Sequence, residues 1–287
     1  SGEALVENLL SGIKVLPYVY YYNYGKTTTP ILHYCVFKSN LENQIVRETE
    51  YFEDIAAAYN TFKQYGCKVQ KESLIVDCAN GVGANKLREL INCVYDLNYI
   101  TIKNDGSDGE LNYLCGADYV KIYQKSPENF EYTALDKCAS FDGDADRIIC
   151  FYKNELGSEI ILDGDYISIL YMYYIKKILS TFQHNLRCGF IHANYSNSAT
   201  STFAKANGFK TVCSKTGVKY LHAEAVKFDI GIYFEANGHG TALFGSCTKE
   251  FLAAIKSEDS NYKSAKKLLA LSDVINKVNE DFSYILI

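Results

Sequence analysis

The chain contains the stretch Ser140-Phe141-Asp142-Gly143-Asp144-Ala145-Asp146-Arg147, which places three carboxylates at alternate positions of a short loop between two apolar runs. Three anions packed this closely repel one another unless a cation neutralises them. Carboxylate oxygens are the ligands that Mg²⁺ and Ca²⁺ prefer, and such ions are common in phosphate chemistry. Arg147 adds a planar, permanently charged donor that suits a phosphate. The stretch therefore predicts a divalent-cation site beside a phosphate-binding group.

This loop also resembles two other kinds of structure. An acidic surface turn stays open, since Asp and Gly both favour turns, although solvated turns rarely need three aspartates and an arginine. An EF-hand calcium loop needs glycine at its sixth position and glutamate at its twelfth. Arg147 and Lys153 occupy those positions, and residues 148–152 have the pattern of a strand, so the EF-hand is excluded.

Composition limits the class of protein. A chain of 287 residues is long enough for two domains, and its net charge of −5 argues against a general nucleic-acid binder. No apolar run reaches the length of a membrane-spanning helix, and no signal-peptide pattern opens the chain. The expectation is a cytoplasmic protein with no nucleic-acid or membrane partner. None of the ten cysteines forms a Cys-x-x-Cys pair, which favours buried, reduced thiols over zinc or disulfides.

Alternating strand and helix patterns predict an α/β fold. Residues 13–24 are rich in β-branched and aromatic types and predict one or two strands, whereas Thr27 to Pro30 resembles a helix start. Residues 48–65 have helical spacing and are expected to link two domains. The further predictions are strands at 73–77, 138–141, 147–152, 187–193, 209–213 and 228–234, and helices at 86–93, 166–181, 198–207, 215–226 and much of 249–279.

The glycine-rich turn from Cys78 to Asn85 lies between a predicted strand and a predicted helix. Such a turn is either an ordinary connection or an anion site at a helix N-terminus, and the ordinary connection is favoured. A dinucleotide fingerprint would require a third glycine at position 86, which is lysine. No nicotinamide cofactor is therefore expected.

A second polar constellation follows the strand predicted at 228–234. Glu235 and Asn237 offer groups suited to sugar hydroxyls, and His239 could bind phosphate or move a proton. The alternative is a polar turn with a satisfied histidine. Upstream, Lys215 and Lys219 lie at a strand-to-helix junction, where they could hold a phosphate or simply be solvated.

Taken together, these motifs resemble the α-D-phosphohexomutase superfamily. The carrying strings are Asp142-Gly-Asp-Ala-Asp-Arg147, Lys215-Thr-Gly-Val-Lys219 and Phe234-Glu-Ala-Asn-Gly-His-Gly-Thr-Ala-Leu-Phe244, and the form Glu235-Ala236-Asn237 resembles the phosphoacetylglucosamine mutase branch. Supporting matches are Tyr24-Gly25, Thr28-Thr29-Pro30, His33-Tyr34, Val76 to Gly81, Asn104 to Ser107, Leu111 to Asp118 and Asp163-Gly164-Asp165.

The resemblance implies an isomerase that interconverts N-acetylglucosamine 6-phosphate and 1-phosphate through a phosphoserine and a bisphosphate, towards UDP-N-acetylglucosamine. It implies Mg²⁺ held by Asp142, Asp144, Asp146 and a phosphoserine. It implies catalytic roles for Arg147, Lys215 and His239 and substrate binding by Glu235, Ala236, Asn237 and Lys219. It also implies successive mixed α/β domains: 1–65, the end of a first domain with a linker helix; 66–160, with the metal loop; and 161–287, with the sugar loop.

Two parts of the family pattern are not found in the 287 residues: a Thr-Ala-Ser-His-Asn-Pro loop and an Arg-x-Ser-Gly-Thr phosphate loop. The chain is therefore expected to be a fragment of a longer mutase and inactive alone, since the double displacement needs its nucleophile. The alternatives are a non-catalytic sugar-phosphate binding protein derived from the mutase, or a mutase for glucose or mannose phosphate, which Glu235-Ala236-Asn237 disfavours.

Overall fold

The structure, a computed structural model, describes residues 2–65 and 73–275. Within these ranges two mixed sheets with helices packed on them confirm the predicted α/β class. The strands are β1 (Leu74–Asp77), β2 (Ile100–Lys103), β3 (Lys137–Phe141), β4 (Ile148–Lys153), β5 (Glu159–Leu162), β6 (Cys188–Ala193), β7 (Lys210–Ser214), β8 (Ile230–Phe234) and β9 (Gly240–Phe244). The helices are α1 (Gly2–Lys14), α2 (Thr29–Glu42), α3 (Glu48–Tyr65), α4 (Gly83–Cys93), α5 (Ala117–Tyr123), α6 (Gly164–Leu179), α7 (Ser198–Ala206), α8 (Val218–Ala225), α9 (Ser246–Ala254) and α10 (Tyr262–Ile275), with a 3₁₀ turn at Tyr95–Leu97.

In each of the two sheets, the polar loops lie at one edge. The first sheet has the order β2-β1-β3-β4-β5, and the second has the order β7-β6-β8-β9. In the first sheet β1 runs parallel to β2 and β3, and in the second β6 runs parallel to β7 and β8. Because parallel strands end at the same edge, the loops after β1, β2 and β3 meet, as do the loops after β6, β7 and β8.

The largest apolar core lies around the second sheet. Met172 of α6, Phe190 of β6, Ile232 of β8 and Leu268 of α10 are fully buried within it. Burying such side chains stabilises the fold by about 1.5–3 kcal/mol each. The loops that follow β6, β7 and β8 therefore start from strands that are anchored in a well-packed core.

Helix α3, which spans the residues predicted to link two domains, packs between other helices. It packs against α2, α4 and α10. Phe62 near its C-terminus lies 6.1 Å from Tyr174 of α6 between ring centroids, and Glu48 in its first turn accepts from the buried Lys86 ammonium of α4 at 2.6 Å. The helix thus contacts helices that pack on each of the two sheets.

The predicted strands at residues 13–24 are wrong. Residues 2–14 form helix α1, and residues 15–28 contain no strand. This tyrosine-rich stretch has no neighbouring strand among the described residues, and Tyr18 and Tyr20 are almost fully exposed. A segment with high strand propensity forms a strand only when a neighbouring strand accepts and donates its backbone hydrogen bonds. The prediction from composition alone was therefore wrong.

Most other predicted elements are confirmed, with shifts at their ends. Helix α4 begins at Gly83 rather than residue 86, α8 spans Val218–Ala225, and Thr28 precedes α2 without a side-chain capping bond. β5 pairs with β4 in the first sheet, so the predicted boundary between residues 160 and 161 crosses this strand. The predicted tail is helical in α9 and α10, and residues 276–279 lie outside the described residues.

Each cysteine in residues 2–65 and 73–275 is free; five of them are buried, while Cys93, Cys213 and Cys247 are exposed. Among the helices of those same residues, none is long and apolar enough to cross a membrane.

Replacing Asp163 with alanine is expected to destabilise the chain by about 1–2 kcal/mol. Its carboxylate caps α6 by accepting from the N–H groups of Asp165 (3.1 Å) and Tyr166 (3.4 Å), and it also pairs with Lys121 of α5. Urea unfolding measures the loss. Asp163→Asn is the matched variant, because asparagine can cap but cannot form the ion pair, and it should lose less. Equal losses for both variants would contradict the capping role.

Candidate active site

The acid loop, residues 142–147, is the turn of the hairpin between β3 and β4. Asp142 is buried, and its Oδ1 atom accepts from the backbone N–H groups of Asp146 (3.0 Å) and Arg147 (3.2 Å). Ala145, at a φ of 59°, is also buried and packs into the apolar cluster under β1 and β3. These contacts fold the loop back on itself. One carboxylate oxygen from each of Asp142, Asp144 and Asp146 lies within 4.8 Å of the others, so the predicted metal ligands do converge.

The electrostatics of the acid loop suit a cation. Burial, together with the neighbouring carboxylates of Asp146 and Asp144, raises the pKa of Asp142 to about 8. The Oδ1 atom of Asp146 is buried and accepts no hydrogen bond. A set of hard oxygen donors with mutual repulsion and an unsatisfied buried oxygen is the donor chemistry of a Mg²⁺ or Ca²⁺ site.

Arg147 is held in place by Asp118, a residue that the site predictions do not include. Its Nη1 atom donates to both carboxylate oxygens of Asp118, at 2.9 and 2.8 Å. Its Nε atom lies 3.7 Å from Asp142 Oδ2 and 3.6 Å from Asp146 Oδ1. The guanidinium is therefore held over the acid loop by Asp118. The only signal for Asp118 in the sequence was its place in the family-like string that starts at Leu111.

The glycine-rich turn supports the acid loop. A Cβ atom on Gly81 would lie 2.2 Å from the carbonyl oxygen of Gly143, and the Val82 N–H donates to that same oxygen at 3.0 Å. The turn thus acts as an ordinary connection whose glycine permits close backbone approach. Asp77, at the end of β1, is fully buried; its carboxylate accepts from the Gly116 N–H at 2.7 Å and from the Ser140 hydroxyl. These bonds fix β3 immediately before the acid loop.

The 235–239 loop is the turn between β8 and β9. Glu235 is buried, and its Oε1 atom accepts from the Tyr195 hydroxyl (3.2 Å) and the Gly217 N–H (3.1 Å). Asn237 is half-buried, and its Oδ1 atom accepts from the His239 N–H at 3.1 Å. That bond leaves the Asn237 amide NH₂ as the part of the side chain that can donate to a ligand.

The acid loop and the 235–239 loop lie against each other. His239 Nδ1 is 3.5 Å from Asp146 Oδ2, and the Ile148 N–H donates to the Gly238 carbonyl at 3.4 Å. Burial lowers the pKa of His239, while the charge of Asp146 opposes that shift. The Gly164 N–H also donates to the Ala236 carbonyl at 3.4 Å, so the start of α6 closes the same junction. Two motifs that are distant in sequence thus lie side by side in the fold.

The two predicted phosphate-binding lysines are exposed beside this site. The Nζ atoms of Lys215 and Lys219 lie 5.8 and 5.0 Å from the ring centroid of Tyr220. Lys215 follows β7 directly, and Gly217 of the same segment binds Glu235. Both lysines therefore belong to the Glu235 side of the site, on flexible stems that a ligand could draw inward.

Comparison with known proteins places the chain in a family. Residues 43–149 match the family model described as phosphoacetylglucosamine mutase AMG1, domain II, and residues 163–287 match domain III of the same protein. Among curated relatives, the human phosphoacetylglucosamine mutase is 40% identical over 98% of this chain and 53% of its own length. The Arabidopsis thaliana phosphoacetylglucosamine mutase is 35% identical over 98% of this chain and 53% of its own length. The chain thus spans about half the length of these relatives.

Solved structures that are similar to this chain belong to the same kind of protein as the curated relatives. An N-acetylglucosamine-phosphate mutase of the α-D-phosphohexomutase superfamily, in its substrate complex, has a TM-score of 0.89 and 34% identity, covering 96% of this chain and 53% of that one. The Aspergillus fumigatus N-acetylphosphoglucosamine mutase, in complex with GlcNAc-6P and magnesium, has a TM-score of 0.77 and 38% identity, covering 86% of this chain and 52% of that one. The chain therefore belongs to the phosphoacetylglucosamine mutase family of the α-D-phosphohexomutase superfamily.

Proposed function

We propose that this chain carries the metal-binding and sugar-binding parts of a phosphoacetylglucosamine mutase, which interconverts N-acetylglucosamine 6-phosphate and N-acetylglucosamine 1-phosphate. The contact between the acid loop and the 235–239 loop carries this proposal, through the 3.5 Å approach of His239 to Asp146. A phosphoryl transfer to or from a sugar needs a site for the charged group and a site for the sugar side by side. The structure of the fungal relative holds GlcNAc-6P and magnesium, which are the ligands that such a site would take.

Asp142, Asp144 and Asp146 would hold Mg²⁺. The unsatisfied buried oxygen of Asp146 and the raised pKa of Asp142 support this assignment, since both are relieved by a bound cation. When bound, the ion supplies positive charge that stabilises a transferring phosphoryl group.

Arg147 would stabilise negative charge on the transferring group. Its guanidinium is oriented in advance by Asp118, so little reorganisation is needed when a phosphate arrives. Lys215, which follows β7, would likewise stabilise charge on the transferring group, and Lys219 would bind the substrate. His239 lies between the acid loop and the sugar side, where it would move a proton or bind phosphate.

The sugar would bind at the 235–239 loop. The second carboxylate oxygen of Glu235 and the Asn237 amide would bind sugar hydroxyls, and the Ala236 backbone between them fixes their separation. In the full reaction a phosphoserine gives its phosphoryl group to the sugar phosphate, and the resulting bisphosphate turns over before one group returns.

The chain alone is expected to bind sugar phosphate without converting it. A string of the type Thr-Ala-Ser-His-Asn-Pro does not occur in its 287 residues, so the double displacement would have no nucleophile. A coupled assay for N-acetylglucosamine 1-phosphate, with Mg²⁺ and a bisphosphate primer, checks this, with the human relative as positive control. Robust turnover by the chain alone would contradict the expectation.

A chimaera separates the enzyme from its alternative, a sugar-phosphate binding protein without turnover. Here residues 1–287 replace the matching half of the human relative. Turnover by the chimaera, lost again on Asp144→Asn, would support the mutase. A folded chimaera that binds Mg²⁺ and sugar phosphate yet never turns over would favour the non-catalytic alternative.

A further inference from the structure

Tyr195 lies where the second sheet gathers its polar residues. It follows β6, as Lys215 follows β7 and Glu235 follows β8. β6 runs parallel to both of the other strands, so the three side chains start from the same edge of the sheet. In open α/β sheets this edge is where ligands bind. Tyr195 thus stands beside the proposed sugar site, although none of the sequence motifs includes it.

The Tyr195 hydroxyl and the Gly217 N–H both donate hydrogen bonds to the same oxygen of Glu235. They donate to its Oε1 atom at 3.2 and 3.1 Å, and the Glu235 side chain is buried. A carboxylate held by two donors on one oxygen has a fixed plane, and its other oxygen keeps its capacity to accept. Bonds to an ionised acceptor are also stronger than neutral ones. Tyr195 therefore sets the orientation of the group proposed to bind the sugar.

The Tyr195 side chain can also reach a ligand itself. The residue is 52% exposed, so part of its ring faces solvent. After donating to Glu235, the phenolic oxygen can still accept one hydrogen bond. The phenolic oxygen of Tyr195 and the Oε2 atom of Glu235 are then two acceptors on adjoining groups, which matches two adjacent hydroxyls of a pyranose ring.

We infer that Tyr195 is a further sugar-contacting residue, which orients Glu235 and, with it, binds adjacent hydroxyls of a pyranose phosphate. This inference rests on the function proposed above. It differs from a packing role in one respect: the hydroxyl group, and not only the ring, carries the effect.

The test is calorimetric titration of the whole chain with N-acetylglucosamine 6-phosphate in the presence of Mg²⁺. Tyr195→Phe keeps the ring and removes the hydroxyl, and it is expected to weaken binding about tenfold. Tyr195→Ala removes both and should weaken binding further. Tyr173→Phe, at an exposed tyrosine of α6, is the matched control and should change affinity less than about twofold.

A second measurement follows the position of Glu235 without any ligand. The backbone amide resonance of Gly217, which shares the Oε1 acceptor, is expected to shift in Tyr195→Phe and to stay in place in Tyr173→Phe. Wild-type affinity in Tyr195→Phe would overturn the inference and leave the proposed function standing. Failure of the unchanged chain to bind the sugar phosphate would overturn the proposed function, and this inference with it.

Discussion

Asp144→Asn is expected to weaken Mg²⁺ binding by the chain at least about tenfold. Asp144 is the exposed member of the three converging carboxylates, so its replacement removes a ligand charge without disturbing the backbone bonds that Asp142 accepts. An amide oxygen can still coordinate, but it brings no negative charge. Calorimetric titration with Mg²⁺, or displacement of Mn²⁺ followed by electron paramagnetic resonance, measures the change.

The same substitution should leave the metal-free fold slightly more stable. Asp144 repels Asp142, whose pKa burial and the two neighbouring carboxylates raise to about 8. Removing one like charge reduces that repulsion. Asp108→Asn, at an exposed aspartate outside the acid loop, is the control and should alter neither quantity. Unchanged Mg²⁺ affinity in Asp144→Asn would show that the acid loop is a solvated turn.

Gly238→Ala is expected to destabilise the chain by about 2–5 kcal/mol. Gly238 has a φ of 88°, and a Cβ atom there would lie 1.9 Å from the Ile148 carbonyl oxygen. That oxygen belongs to the first residue of β4, so the backbone of one hairpin must move away from the other. The substitution should therefore also abolish measurable binding of sugar phosphate.

Gly157→Ala is the matched control for this prediction. Gly157 also has a positive φ, of 79°, but a Cβ atom there meets nothing within 4 Å. It should cost only the backbone penalty, about 1 kcal/mol, and leave ligand binding unchanged. Chemical denaturation of both variants compares them. Equal losses would mean that the contact between the two hairpins contributes nothing beyond the conformational preference of glycine.

Local pattern was enough to predict the strands that carry the site. β3 and β8 are short apolar runs that end directly at the acid loop and at the 235–239 loop, and β4 is an apolar run that begins directly after the acid loop. The convergence of Asp142, Asp144 and Asp146 could be predicted because residues at alternate positions of one tight turn stay close together in space. Charge repulsion among them then indicated a cation.

The missing parts of the prediction depend on tertiary contacts. Asp118 and Tyr195 act through partners far away in the sequence, Arg147 and Glu235, and neither belongs to a local pattern of charges. The role of Tyr195 follows from parallel strands that end at a common edge, and the role of Asp118 follows from the packing of α5 against the hairpin of β3 and β4. Neither arrangement can be read from the local sequence. The strands predicted at the tyrosine-rich residues 13–24 are absent because no strand among the described residues lies beside them to pair with. Their strong β propensity was therefore misleading.

The central claim is that the acid loop and the 235–239 loop form one site. Nuclear magnetic resonance tests it directly, by titrating the isotope-labelled chain with N-acetylglucosamine 6-phosphate at saturating Mg²⁺. The expected result is that amide resonances of residues 142–147 and of residues 235–239 shift together, along one binding curve, and that Asp144→Asn weakens both responses. Shifts confined to one loop, or two curves with different affinities, would contradict the account.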